Sequence, residues 1–394
     1  MDLFDIIYYI NGLFEGKEGY MNRLWLVLAV SLGIAKLINW REDRLSIDGS
    51  ERKERFFTAC LILLLGFFCG LRTWGNDTVT YKQIYEMMPP LDKFLSNSNV
   101  EYSQGIGFYF LTCLIKTFGF TMQDYLMFFA FATIIPYVLF VRRYSKNMVL
   151  GVFFMFATGF YTFSLAAIKQ TMATGLCLVG LPLLLDGKKI RYLLMVGLAS
   201  LFHPYALIYL LAPLLMFQPW KGKTVLMTVL FVATGFMLDR LIGTMLDITT
   251  AMGAEYTEAE MLGAGVNIFR VLVSFVPVAF AVFYGSSLFE RADKQVYLMF
   301  NLAMLNALIM FVGLFGTANY FARMANYFLP AQVVILPWIL YSAHPKDRRW
   351  MLPATVAGYT GYFFYENAII RPFDTGYSHM KFLDYALDLL QRLL

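Results

Sequence analysis

The stretch IRYLLMVGLASLFHPYALIYLLAPLLMF, residues 190–217, decides the architecture of this chain. It is apolar almost throughout, yet it is longer than the roughly 20 residues that one membrane-spanning helix needs and too short for two. His203-Pro204 lies in its middle, and proline removes a helical hydrogen bond and disfavours helical geometry at the preceding residue. The pattern predicts a hairpin that enters the membrane, breaks at His203-Pro204 and returns to the same side.

The composition of the whole chain indicates a membrane environment. Hydrophobic residues make up 59% of the 394 residues and charged residues only 15%, against roughly 25% in soluble domains. This balance excludes a single soluble core, a disordered chain and a secreted disulfide scaffold. We therefore expect an all-α polytopic membrane protein. The net charge is +5, and we expect the excess lysine and arginine residues to lie in cytoplasmic loops. The charge therefore does not indicate nucleic-acid binding.

Apolar runs long enough to cross a membrane recur along the sequence. The candidate spans are residues 21–40, 56–73, 122–141, 148–167, 170–186, 223–240, 267–286, 294–315, 321–342 and 350–366. Together with the hairpin they predict about 10–12 transmembrane helices. Residues 105–119 are apolar but short, which predicts a re-entrant or interfacial segment.

Basic residues concentrate in six short loops, at 41–55, 142–147, 187–191, 218–223, 287–294 and 343–349. The positive-inside rule assigns all six to the cytoplasm. This assignment is possible only if 105–119 does not cross the membrane and 190–217 is a hairpin. Irregular backbone at membrane depth is tolerated where it lines a water-filled cavity, so the two segments predict a cavity that opens outward.

The chain is predicted to form one integral membrane domain, 1–394, because no tandem repeat divides it. Residues 1–20 are expected to form an interfacial helix, and 373–394 an amphipathic helix on the membrane surface. The predicted outer loops are 73–121, which contains the re-entrant segment, and 241–266.

Ionisable and polar side chains gather at the predicted outer ends of the spans, where they are candidates for function. They are Arg72, Asp77, Tyr81, Lys169, Gln170, His203, Arg323, Tyr327 and Arg371. Basic groups at such a place suit an anionic ligand, because arginine holds phosphate with paired hydrogen bonds and lysine adds a point charge.

Structural explanations stay open for several of these residues. Arg72 and Arg323 also fit cations that snorkel from helix ends, and Asp77 before Thr78 also fits a helix N-cap. His203 also fits a hydrogen-bonded histidine at a helix break, and Tyr327 a tyrosine of the interfacial aromatic belt. Lys169 has no acidic neighbour in sequence, which favours a functional role.

Cofactor signatures are absent from the sequence. The four cysteines lie within apolar runs and lack metal-binding spacing, and no Walker loop, Rossmann glycine pattern, HExxH or GxSxG motif occurs. We therefore expect no metal and no cofactor.

Four segments carry a resemblance to the EpsG family of bacterial exopolysaccharide proteins, which is similar in role to Wzy O-antigen and capsule polymerases. They are RTWGNDTVTY (72–81), KQTMATGLCL (169–178), LASLFHPYALIYL (198–210) and ARMANYFLP (322–330), and their order matches the family's. Two positions depart from the family pattern. Lys169 stands where arginine is usual, which puts bidentate phosphate binding in doubt there, and Gly105 stands in place of an acidic residue.

The resemblance implies a metal- and nucleotide-independent polymerase of undecaprenyl-diphosphate-linked repeat units, acting at the outer face of the bacterial cytoplasmic membrane. The growing glycan would leave its lipid diphosphate and join a sugar hydroxyl of the next unit, with inversion. The implied diphosphate-binding residues are Arg72, Lys169 and Arg323. Asp77 or His203 would be the base, and Gln170, Tyr81 and Tyr327 would position either the sugars or the side chains that contact the substrate. The implied partners are the bilayer, a flippase and a chain-length regulator.

Two other classes of function remain open at this point. A glycan ligase, or a glycosyltransferase that uses lipid-phosphate sugars, would handle the same anionic lipids and differ in acceptor. A flippase or transporter of lipid-linked sugars would also carry basic cavity residues, although transporters tend to show broken helices at matching places in two halves. The irregular segments 105–119 and 190–217 both fall in the first part of the chain, so the sequence lacks this pairing between two halves, which counts against a transporter.

Overall fold

The computed structural model describes residues 21–47, 54–94, 105–251 and 257–393 of the chain, and the predicted interfacial helix 1–20 lies outside them. The α-helices are α1 (Asn22–Ile47), α2 (Phe56–Gly70), α3 (Thr78–Met87), α4 (Ile106–Thr117), α5 (Met122–Tyr144), α6 (Met148–Ala157), α7 (Phe160–Ser164), α8 (Ile168–Leu185), α9 (Lys189–Ser200), α10 (Gly222–Phe236), α11 (Leu238–Ala251), α12 (Glu258–Met261), α13 (Ile268–Tyr284), α14 (Lys294–Val312), α15 (Ala318–Asn326), α16 (Leu329–Ser342), α17 (Pro345–Phe364), α18 (Phe373–Gly376) and α19 (Phe382–Leu393). Short 3-10 helices (Leu91–Lys93, Pro204–Leu215 and Gly285–Phe289), a π-helical segment (Tyr365–Ile370) and two strands, β1 (Arg72–Trp74) and β2 (Ser378–His379), complete the order.

The prediction of an all-α polytopic membrane protein is confirmed. Among the described residues, five helices are long and apolar enough to cross a membrane: Asn22–Asp43, Met122–Tyr144, Ile168–Leu185, Ile268–Phe289 and Lys294–Val312. Two further pairs qualify if each bent pair is one span, which gives up to seven. The sequence windows predict about 10–12 transmembrane helices, which is more than these five to seven candidate spans. The two numbers differ because the structure divides several of the windows into shorter helices.

One divided window is 148–167. Helix α6 ends at Ala157, and Gly159 adopts φ +82° before the short helix α7 begins at Phe160. A left-handed backbone conformation cannot continue a right-handed helix, and glycine adopts it at little cost. The apolar run is therefore continuous in sequence but broken in the backbone.

The break predicted at His203-Pro204 is present. Helix α9 ends at Ser200, His203 is extended (φ −154°, ψ 114°), and a 3-10 helix follows from Pro204 to Leu215. The 3-10 helix packs back against α9, and the Tyr192 hydroxyl donates to the carbonyl of Tyr209 between them. The hairpin thus consists of two short helical arms, and residues 190–217 do not form one long helix.

The short helix α4 docks on the tip of this hairpin. Its 12 residues span about 18 Å, too little for a bilayer core of about 30 Å. The Gly107 N–H donates to the Leu201 carbonyl at 2.7 Å. Gly105 has φ +119°, and a Cβ there would lie 2.4 Å from the Phe202 carbonyl oxygen. The two segments that sequence singles out as irregular therefore contact each other.

Two helix pairs are sharply bent. The axes of α10 and α11 meet at 96°, and those of α15 and α16 at 53°. Pro330 lies in the first turn of α16, where its missing N–H and fixed φ are tolerated. After this second bend Tyr327 is fully buried, as is Ala325 just before it.

The C-terminal segment pairs with the start of the predicted first outer loop. Strand β2 lies antiparallel to β1, with Arg72 opposite His379, and the Met380 N–H donates to the Leu71 carbonyl at 2.8 Å. The structure begins the terminal helix at Phe382. Arg392 forms a salt bridge to Asp124 at 2.5 Å and fixes this helix to the first turn of α5.

Candidate functional site

A cavity of about 500 Å³ lies between the turn at residues 75–77, the bend of α15 and α16, and the segment after α17. This volume is within the range typical of small-molecule sites. Its charged lining residues are Asp77, Arg270, Arg323, Glu366 and Arg371. Amide side chains also line it, from Asn76, Asn306, Asn319, Asn326, Gln332 and Asn367. The cavity therefore offers cations for an anionic ligand and amides for sugar hydroxyls.

The turn that carries Asp77 is shaped by two residues with positive φ, Gly75 (122°) and Asn76 (42°). A Cβ at residue 75 would lie 2.3 Å from the Gly376 carbonyl oxygen, so the turn packs closely against the C-terminal segment. Glycine and asparagine are the residues that tolerate such backbone conformations. The sequence Gly-Asn-Asp thus folds locally so that Asp77 borders the cavity.

Asp77 occupies the N-cap position of α3, but its side chain forms no capping hydrogen bond. Within the described ranges its carboxylate accepts no hydrogen bond and forms no salt bridge. The side chain is half-buried and lines the cavity. Its carboxylate therefore remains available to a ligand.

Arg323 lies in the last turn of α15, immediately before the bend. Its exposed side chain lines the cavity and has no carboxylate partner in the part of the chain that the structure describes. The backbone beneath it is fixed by two amides: Gln170 donates to the Arg323 carbonyl at 2.6 Å, and Asn306 donates to the Ala325 carbonyl at 2.7 Å. The Asn306 Oδ1 is buried without a partner among the described residues.

An ion pair forms the opposite wall. Arg270, in the first turn of α13, donates to both carboxylate oxygens of Glu366, at 2.8 and 2.7 Å. Each side chain is 14% exposed. This bidentate geometry is the strong form of an arginine–carboxylate contact, and it fixes α13 to the π-helical segment that follows α17.

Arg72 does not line the cavity. Its side chain is buried, donating from Nε to the Thr78 hydroxyl at 3.1 Å and from Nη1 to the Cys69 carbonyl at 2.5 Å. It connects the end of α2 to the start of α3 and so supports the turn with Asp77.

Lys169 and Tyr81 lie beside the cavity rather than on its surface. The Lys169 ammonium donates to the Tyr109 hydroxyl at 2.8 Å and lies 5.1 Å from the centre of the Phe108 ring. Tyr81 packs edge-to-face on the same Phe108. Burial, and then the nearby Asp77 carboxylate, raise the pKa of the Tyr81 hydroxyl, which therefore stays protonated.

His203 and Tyr327 form a direct contact. The Tyr327 hydroxyl and the His203 Nδ1 are 2.8 Å apart, and the Tyr209 hydroxyl donates to the Tyr327 carbonyl at 2.7 Å. Tyr327 is fully buried and neither partner lines the cavity. The pair holds the hairpin tip against the bend of α15 and α16.

The four segments singled out from the sequence therefore come together in the fold. Asp77 and Arg323 line the cavity. The other six predicted site residues are outside its lining and contact protein groups instead: Arg72, Tyr81, Lys169, Gln170, His203 and Tyr327. Sequence reasoning missed Arg270 and Glu366. Both lie within or at the end of predicted spans, and an ionisable residue in such a run was the available signal.

The described residues contain no group of three or more His, Cys, Asp or Glu side chains placed to hold a metal ion. Three arginines face two carboxylates, and one of these carboxylates is already paired with Arg270.

These features define a multi-pass membrane protein with a charged cavity inside its helix bundle. The model of the EpsG family, a Wzy-like polysaccharide polymerase family, matches residues 55–386, and the chain belongs to this family. No curated protein and no solved structure gives a significant match. The family indicates a role like that of a polysaccharide polymerase.

Proposed function

We propose that this protein polymerises oligosaccharide repeat units carried on undecaprenyl diphosphate, at the outer face of the bacterial cytoplasmic membrane. Exopolysaccharide, capsule and O-antigen are the products of this class of reaction. A flippase that supplies the lipid-linked units and a chain-length regulator are the expected partner proteins. The six basic loops support the orientation, since the positive-inside rule assigns them to the cytoplasm.

The reaction is an inverting glycosyl transfer. The bond between the anomeric carbon of the growing glycan and its diphosphate oxygen breaks, and the electron pair leaves with undecaprenyl diphosphate. A hydroxyl of the incoming unit forms the new bond to that carbon, and its proton passes to a base. The step needs cationic groups at the leaving diphosphate and a base at the hydroxyl.

Asp77 is our choice for the base, and the single observation that carries the proposal is its position. Its carboxylate borders the same cavity as Arg323 and has no hydrogen-bond partner among the described residues. His203, the alternative base, is held by Tyr327 outside the cavity lining. A carboxylate can accept the proton late in the transfer, as the hydroxyl oxygen bonds to carbon.

The predicted diphosphate ligands take different parts in this proposal. Arg323 contacts the leaving diphosphate directly. Arg72 and Lys169 act by position, because Arg72 holds the Asp77 turn and Lys169 fixes α4 through Tyr109. Gln170, Tyr81 and Tyr327 support the backbone and rings around the cavity, and the lining amides take the sugar hydroxyls.

The test is to analyse lipid-linked glycans in a deletion strain that carries wild-type protein, Asp77→Asn or Asp92→Asn. Asp92 is exposed in the same predicted outer segment and lies outside the cavity lining, which makes it the matched control. We expect single repeat units to accumulate on the outer leaflet in the Asp77→Asn strain, with normal polymer in the control.

Two results would overturn the proposal. Single units trapped on the inner leaflet of the deletion strain would identify a flippase. Long polymer that stays on its lipid carrier would identify a ligase. Normal polymer in the Asp77→Asn strain would remove Asp77 from the mechanism while leaving the polymerase assignment in place.

A further inference from the structure

The segment after α17 is a π-helix, and its geometry determines where Arg371 lies. Residues Tyr365–Ile370 form the π-helical turn, and the Arg371 N–H donates to the Glu366 carbonyl at 2.9 Å, five residues back. In a regular α-helix, residues five apart point roughly 140° away from each other. The wider π turn brings them towards one face, and π turns are frequent at functional sites. Glu366 and Arg371 accordingly line the same cavity.

The charge of Glu366 is already compensated at this wall. Arg270 donates to both of its carboxylate oxygens, so the single negative charge of Glu366 is matched by the single positive charge of Arg270. In the described ranges, the guanidinium of Arg371 has no salt-bridge partner, and its side chain is exposed. With Glu366 already paired to Arg270, Arg371 gives this wall of the cavity a net positive charge.

Arg323 has the same properties on the other wall, at the bend of α15 and α16. Both arginines line the cavity, both are exposed, and neither forms an ion pair within the described residues. Arginine presents a planar set of donors that matches phosphate oxygens in pairs. Two such groups facing one cavity fit a ligand with two phosphoryl groups.

We propose that Arg323 and Arg371 together bind the diphosphate of the lipid-linked substrate, with the Arg270–Glu366 pair holding the π turn that presents Arg371. This inference rests on the proposed function, because it assigns the diphosphate of that reaction to a second residue. It moves the anion site towards the C-terminal half of the chain.

The experiment uses the full chain purified in detergent, with inorganic pyrophosphate and farnesyl diphosphate as probes in titration calorimetry. The variants are Arg371→Ala and Arg371→Lys, and Arg349→Ala is the control because Arg349 is exposed outside the cavity lining. Losing one charged hydrogen-bonding group weakens binding by about tenfold or more. We expect that loss for Arg371→Ala, a smaller loss for Arg371→Lys, and wild-type affinity for the control.

Vesicles of anionic phosphatidylglycerol separate the substrate diphosphate from a lipid headgroup. The proposal requires that Arg371→Ala lower affinity for both diphosphates while binding to these vesicles stays unchanged. Equal loss of vesicle binding would identify a headgroup site and overturn the proposal, as would wild-type diphosphate affinity in Arg371→Ala.

Polymer formation in cells separates this inference from the proposed function. If a strain makes as much polymer with Arg371→Ala as with wild-type protein, the assignment of the diphosphate to Arg371 is wrong and the polymerase function is unaffected. If the protein binds diphosphate through Arg371 but supports no polymer, the proposed function is wrong and the anion site is unaffected.

Discussion

The cations in and around the cavity come from two halves of the chain, and the two halves use them in opposite ways. In the first half, Arg72 and Lys169 lie outside the cavity lining, where Arg72 donates to Cys69 and Thr78, and Lys169 donates to Tyr109. In the second half, Arg323 and Arg371 face the cavity, and neither has an ion-pair partner among the described residues.

The difference shows that local backbone decides whether a cation is available to a ligand. Arg72 lies two residues beyond the end of α2, and the last carbonyls of a helix are unpaired acceptors that attract a nearby donor. Arg371 follows a π turn whose carboxylate is already compensated by Arg270. Residue type alone therefore does not separate a structural arginine from a ligand-binding one.

The largest effect is expected from breaking the Arg270–Glu366 pair. Glu366→Gln leaves Arg270, 14% exposed, without its charge partner, which costs about 3 kcal/mol of stability. Asp186→Asn removes the exposed Lys188–Asp186 pair and serves as the control, with a cost below about 1 kcal/mol. Thermal unfolding in detergent measures both. Equal costs would show that the Arg270–Glu366 pair contributes no more than a surface contact.

The second prediction compares one arginine from each half of the chain. Arg72→Gln should lower stability by about 2 kcal/mol, because the buried Cys69 carbonyl loses its charged donor. Arg323→Gln should leave stability within about 0.5 kcal/mol, because its side chain bonds to no described protein group, and should abolish polymer. Thermal unfolding and polymer assays on both variants measure the two effects. A stability loss in Arg323→Gln that matches that of Arg72→Gln would contradict the distinction between a structural and a ligand-binding arginine.

Sequence reasoning was sufficient for the fold class and for the break at His203-Pro204. Hydropathy and loop charge determine the first, and the chemistry of proline determines the second. The shortness of the apolar run at 105–119 also predicts that this segment forms only a short helix. The docking of that helix through Gly105 and Gly107 depends on the hairpin tip, which is distant in sequence.

The candidate site was less accessible from sequence. The segments around Asp77 and Arg323 converge, but the sequence contains no sign that Arg72 bonds to Cys69 or that Tyr327 meets His203. Those contacts join residues through tertiary packing. The π turn is equally hidden, because one additional residue per turn leaves no compositional signature.

The third prediction concerns the contact between the Asp77 turn and the C-terminal segment. Gly75→Ala places a Cβ 2.3 Å from the Gly376 carbonyl oxygen at φ +122°, which costs about 2 kcal/mol and loosens the segment. Gly119→Ala is the control, since Gly119 also has positive φ (77°) but no atom near its Cβ position, so its cost is about 1 kcal/mol. Limited proteolysis should release the C-terminal segment faster only in Gly75→Ala.

The smallest effect is expected at the far end of that segment, where α19 contacts α5. Arg392 bridges Asp124 and Asp388 but is 28% exposed, so Arg392→Gln should cost about 0.5–1 kcal/mol. Hydrogen exchange in Phe382–Leu393 should rise accordingly, and 1 M salt, whose Debye length is about 3 Å, should shrink the difference from wild type. The Tyr385 hydroxyl still donates to Asp124 in this variant and keeps the helix docked. Complete exchange of the helix would show that the ion pair alone anchors it, and no change would show that the apolar face does.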